Sequence, residues 1–150
     1  MRALLVFTLL AFVAPDRENP TPKDKAKPIQ EQVLGDWQLV KAVMGADANP
    51  RKEFGATILT FTAGEIQIQE NGKRQDRDDA GYTLDVKKMP TAIDIIPKRG
   101  GDKTIQGILK LEGDQLTLCF THGGNGDRPL DFVSPPNTQI ALMHFKRVKK

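Results

Sequence analysis

From residue 35 onward the chain is built of short runs in which apolar and polar residues alternate. Each run ends in glycine, asparagine, aspartate or proline. That rhythm constrains the fold more than any other feature. A period of two sends successive side chains to opposite faces of an extended strand. No stretch keeps a helical period of 3.6 over three turns. Glu65-Ile-Gln-Ile-Gln-Glu70 alternates strictly, and Asn71-Gly72 follows it directly. Asn-Gly between alternating runs is a strong hairpin signal, because both central residues of a type I′ turn need positive φ.

Reading the runs in order predicts strands over residues 35–44, 55–62, 65–70, 73–86, 91–96, 104–111, 115–120 and 139–148. A glycine- and proline-rich loop over residues 121–138 precedes the last of them. About eight short strands at regular spacing point to an all-β sandwich or barrel. A single antiparallel barrel is preferred, because closure removes exposed sheet edges. The length of 150 residues suits one such domain, here residues 33–150.

The first 32 residues follow different rules. Arg2 precedes an apolar run ending at Ala14. This is the composition of a secretory signal, and it is shorter than the roughly 20 residues of a membrane-spanning helix. Residues 1–14 are therefore read as a signal peptide, and the protein as exported to the periplasm or beyond. No transmembrane segment is expected. Residues 15–32 carry four prolines among lysines and acids, which marks a disordered linker. A helical turn around residues 29–34 would lead into the first strand.

Gly35-Asp36-Trp37 opens the first strand, and Arg147 lies in the closing Phe145-Lys-Arg-Val148. Gly-x-Trp followed by a late basic residue resembles the closed end of lipocalin-like barrels, where a guanidinium packs on the indole face. Three more segments carry the resemblance: Thr91-Ala-Ile-Asp-Ile-Ile-Pro97, Gly107-Ile-Leu-Lys-Leu-Glu-Gly-Asp-Gln-Leu-Thr-Leu-Cys-Phe120 and Arg128-Pro-Leu-Asp-Phe132. Together they are similar to a lipocalin-like (calycin-type) family of uncharacterised domains, expanded in planctomycete bacteria and often exported. The resemblance implies an eight-stranded barrel closed by Trp37 and Arg147. It implies no activity. Leu109 departs from it, since that family would have tyrosine there.

Residues suited to chemistry are sparse. Cys119 is the single cysteine, so no intrachain disulfide forms. It alternates with Leu118 and Phe120 inside a strand, and reads as a small packing residue. The two histidines, His122 and His144, lack metal-ligand spacing. His122 near Asp127 leaves a hydrolase as a remote alternative. Asp76, Asp78 and Asp79 interleave with Arg74 and Arg77, and this cluster reads as a solvated face. Gly123-Gly-Asn-Gly126 has no lysine of the phosphate-loop kind. A net charge of +3, with one tryptophan and one tyrosine, argues against nucleic-acid binding. The expectation is a non-catalytic protein without cofactor or metal.

The interior remains. Alternation turns Leu59, Phe61, Ile66, Ile68, Tyr82, Leu84, Ile105, Leu109, Leu111, Leu116, Leu118 and Phe120 inward. An eight-stranded barrel is filled by side chains or holds one small ligand. The leading expectation is a small apolar or amphipathic ligand against Leu59, Phe61, Ile66, Ile68, Tyr82, Leu109, Leu118 and Phe120, with the Tyr82 hydroxyl free to orient it. The alternative is a cell-envelope module that contacts another protein through residues 121–138.

Overall fold

A computed structural model of the protein describes residues 27–45, 56–124 and 126–150. The expected signal segment and the expected linker up to residue 26 lie outside the described residues. The elements in order are helix α1 (Ile29–Gln32) and strands β1 (Gly35–Met44), β2 (Thr57–Phe61), β3 (Glu65–Glu70) and β4 (Lys73–Arg74). They continue with a single 3-10 turn (Asp76–Asp78), then β5 (Ala80–Asp85), β6 (Thr91–Pro97), β7 (Ile105–Glu112), β8 (Gln115–Thr121) and β9 (Ile140–Arg147).

Every strand pairs antiparallel with its neighbours. The sheet runs β2-β1-β9-β8-β7-β6-β5-β3, and a β2–β3 pairing joins its two ends. The result is a closed, eight-stranded, lipocalin-like barrel. Strand β4 only extends the β3 hairpin, turned by Asn71 and Gly72 at φ 49° and 77°.

Two expectations need correction. The strand foreseen over residues 73–86 is three pieces: β4, the 3-10 turn and β5. The ladder breaks because the buried Asp79 side chain takes the place of backbone pairing, as described below. The linker also ends earlier than residue 32. Ile29 of α1 packs against the barrel core, so α1 belongs to the domain.

Strand β1 changes phase partway. Trp37 and Leu39 face inward, and so do Ala42 and Met44 beyond a bulge between Leu39 and Lys41. A bulge places one extra residue on its strand. Val40 is left 57% exposed as a result.

The segment 126–139 lies across the outside of β6–β9. The Arg128 guanidinium donates to the carbonyls of Ile93 (3.0 Å) and Gly107 (2.6 Å) and to Asp94 Oδ1 (2.6 Å). Lys110 stacks on the Phe132 ring at 5.3 Å. Ser134 Oγ donates to the Ile140 carbonyl at 2.6 Å. Beneath this strap, Ala92, Ile108 and Cys119 are buried on the outer face. Strand β8 is consequently buried on both faces from Leu116 through Cys119.

Candidate functional site

The two ends of the barrel are built differently. At one end the chain enters through α1, whose four residues leave carbonyls without helical partners. Trp37 is fully buried there, and its Nε1 donates to the Val33 carbonyl at 2.7 Å. The Arg147 guanidinium stacks 4.1 Å above the Trp37 ring centroid. Its Nη1 and Nη2 donate to the carbonyls of Leu34 (3.0 Å) and Gln32 (2.6 Å). A delocalised fork can stack and hydrogen-bond together, so one side chain covers the indole and satisfies the helix end. Val33, Phe61, Leu109, Leu116 and Phe145 pack around Trp37 into a solid floor.

Above the floor the barrel is hollow. A cavity of about 380 Å³ opens at the opposite end, within the range of small-molecule sites. Its walls include Leu39, Ala42, Ile95, Leu118, Phe120 and Met143. Among the described residues, the polar side chains on its lining are Thr57, Glu70 and Asp78. Thr57 opens β2 and pairs across the ladder with Glu70, the last residue of β3. Asp78 comes from the 3-10 turn. All three therefore stand at the mouth.

Five of the eight residues expected around a ligand line this cavity: Leu59, Ile66, Ile68, Leu118 and Phe120. Phe61, Tyr82 and Leu109 do not. Phe61 and Leu109 are packed into the floor. The Tyr82 ring meets Phe61 edge-on at 5.2 Å, and its hydroxyl donates to the Thr62 carbonyl at 2.7 Å. That hydroxyl is not free to orient a ligand in the cavity, and burial pushes its pKa up. Alternation tells which face a side chain takes, but not how far along the barrel axis it lies. The reading also missed Leu39, Ala42 and Met44, hidden by the bulge in β1, and Met143 and Phe145 on β9. Strict alternation within 139–148 would have nominated those last two.

One seam of the cavity wall is held by a side chain. Strands β3 and β5 pair only at Glu65–Gly81 and Ile66–Ala80. Beyond them, Asp79 is 2% exposed. Its Oδ1 accepts from the Ile68 N–H at 3.3 Å and its Oδ2 from Arg74 Nη2 at 2.7 Å. The Lys98 ammonium lies 3.9 Å away. The Gln75 N–H donates to the Ile68 carbonyl at 2.8 Å. A carboxylate thus stands in for a missing strand partner on Ile68. The solvated face expected for the 74–79 cluster is wrong at this residue. The Arg74 hydrogen bond holds the Asp79 carboxyl below the usual carboxylate range, against the opposing effect of burial.

The reactive residue types lie away from the cavity. Cys119 faces outward under the strap, where burial pushes its thiol up to about 11. Its Sγ donates to the Val133 carbonyl at 3.6 Å. His144 also faces outward, with Nδ1 3.4 Å from Thr117 Oγ1. Burial, then the nearby Lys41 and Lys110, lower its pKa. His122 is exposed. Among the described residues no group of three histidine, cysteine or acidic side chains could hold a metal ion, and no helix is long and apolar enough to cross a membrane. No protein-family model, curated protein or solved structure matches the chain.

Proposed function

We propose that the protein is a non-catalytic, exported binding protein that takes up a small apolar or amphipathic molecule in the open half of its barrel. The observation that carries this reading is the 380 Å³ cavity, whose described walls are apolar and whose described polar side chains stand at the mouth. Burying an apolar ligand there gains about 25 cal/mol per Å² removed from water, while the rigid floor and walls keep the ordering cost low. Export rests on the signal-like composition of residues 1–14. The mass of the mature protein from its native envelope tests that part.

A fluorescent apolar probe tests the cavity. It should bind the protein with one-to-one stoichiometry and be displaced by competing amphiphiles. Leu118→Trp, which fills the cavity from β8, should abolish uptake while the barrel stays folded. A probe that binds this variant as well as the original chain would sink the proposal.

A second reading has its own observation. Leu130 is 83% and Val133 55% exposed on the strap, where they would suit contact with an envelope protein. Specific co-purification from envelope extracts, lost when both become serine, would favour it. Co-purification that survives those changes would remove it.

A further inference from the structure

The cavity wall is continuous sheet except at the Asp79 seam. Strands β3 and β5 share two residue pairs, and beyond them the wall is made by residues 75–79. Ile68 on one side of this segment, Pro97 on the other and Asp78 within it all line the cavity. The segment is therefore a panel of the wall that reaches the mouth.

What holds the panel is polar. Its sequence is Gln-Asp-Arg-Asp-Asp, without an apolar side chain, and no residue of its 3-10 turn is buried. Lifting it exposes little apolar surface, the term that makes most core openings costly. Asp79 ties both edges. Its carboxylate accepts from the Ile68 N–H of β3 at 3.3 Å, and its backbone carbonyl accepts from the Lys98 N–H, just past β6, at 3.1 Å. Arg74 holds the second carboxylate oxygen at 2.7 Å. Where the panel leaves β4, the Gln75 N–H donates to the Ile68 carbonyl at 2.8 Å. Segments with few buried apolar contacts are the ones that open locally.

Resting on the binding function proposed above, we infer that residues 75–79 form a flap that lifts to pass the ligand, with the Asp79 side chain as its latch. Lifting draws the carboxylate off Ile68 and parts the wall between Ile68 and Pro97, which widens the mouth on this side. The strap side has no such panel, since β8 there is buried on both faces. Asp79 itself does not border the cavity. It acts on passage and not on the closed site. A lid that limits exchange sets the rates of entry and exit together, so a weaker latch speeds both and leaves affinity nearly unchanged.

The test is stopped-flow binding of N-phenyl-1-naphthylamine, a neutral apolar fluorophore, with release followed on dilution. Asp79→Asn keeps the size of the side chain and removes its charge. It should raise the association and dissociation rate constants about tenfold each, the order expected for losing a charge-assisted hydrogen bond, with Kd nearly unchanged. Arg74→Gln leaves Asp79 on Ile68 and removes its outer partner. It should act in the same direction by a smaller factor, and it carries the test if thermal melts show Asp79→Asn unfolded. Arg128→Ala loosens the opposite side of the barrel and should leave both rate constants as they are. Unchanged rates in the folded seam variants would overturn the flap while leaving cavity binding in place. Faster release with unchanged entry would also overturn it, because Asp79 would then support the bound state. Equal acceleration in Arg128→Ala would do the same by showing general loosening. Failure of the probe to bind the original chain would overturn the cavity reading itself.

Discussion

The barrel has a thick side and a thin side. On the thick side, β7 and β8 pair over six residues and β8 and β9 over seven, and the strap adds a second apolar layer outside. On the thin side, β3 and β5 share two residue pairs. One buried carboxylate there takes a backbone N–H that a neighbouring strand takes elsewhere. Both sides follow the same alternation of side chains. They differ in what lies outside the sheet: a strap anchored by Arg128 in one case, the half-exposed Glu65 and Lys98 side chains in the other. Closure alone therefore does not make a barrel uniformly stable, and this one concentrates its support away from the Asp79 seam.

Matched truncations test this contrast most severely. Leu116→Ala removes a fully buried side chain from β8 and should cost about 3–4 kcal/mol in urea unfolding. Ile68→Ala on β3 trims a side chain that already borders empty space, and should cost about 1 kcal/mol. Equal losses would break the distinction. Next in size are the two fastenings. Arg128→Ala leaves the Asp94 carboxylate unpaired and frees the strap, at about 2–3 kcal/mol. Asp79→Ala exposes the Ile68 N–H and should cost about 2 kcal/mol. In hydrogen exchange, Arg128→Ala should speed β8 amides, whereas Asp79→Ala should speed Ile68 and leave β8 protected. Uniform acceleration in both variants would contradict two separate fastenings.

The pH dependence is a smaller effect with a definite sign. Asp79 is held below its ordinary value, so its ionised form favours the folded state. Its contribution is complete above about pH 5 and is lost as pH falls through the folded value. The stability gap between the original chain and Asp79→Asn should be widest at neutral pH and close on acidification. Asp114, also lowered through its contact with Lys149, is present in both proteins and cancels in that difference. The smallest expected signal is chemical. Cys119, buried beneath the strap with its thiol pushed up to about 11, should resist alkylation at neutral pH until the protein unfolds. Arg128→Ala should hasten that reaction, and unchanged protection would show that the strap does not depend on its arginine.

Much of this architecture is legible in the residues. The period of two assigns inside and outside for most of the wall, and Asn71-Gly72 marks its hairpin. Axial height is not legible. Ile68 and Phe61 alternate equally well, yet one borders the cavity and the other packs beneath it, because a packed floor depends on contacts between strands distant in sequence. Asp79 is equally obscure. It sits in a run of exposed charges, and only the geometry of Ile68 and Arg74 distinguishes it from Asp78 beside it. The strap carried a partial signal in Pro129 and Phe132, apolar residues within a polar loop. Their destination on the outer face depends on the Arg128 contacts to Ile93 and Gly107, far off in the sequence.

The extra residue in β1 has a consequence beyond its local bend. Odd-numbered positions point inward before Val40 and even-numbered ones after it, so the strand is written in two frames joined at one residue. The first frame delivers Trp37 to Arg147; the second delivers Ala42 and Met44 to the wall. Deleting Val40 would join the two frames without a choice: Lys41 would follow Leu39 on the outside, and Ala42 and Met44 would stay in the cavity wall. One segment thus serves both as stopper and as vessel across a change of frame, and position parity alone does not assign its two faces.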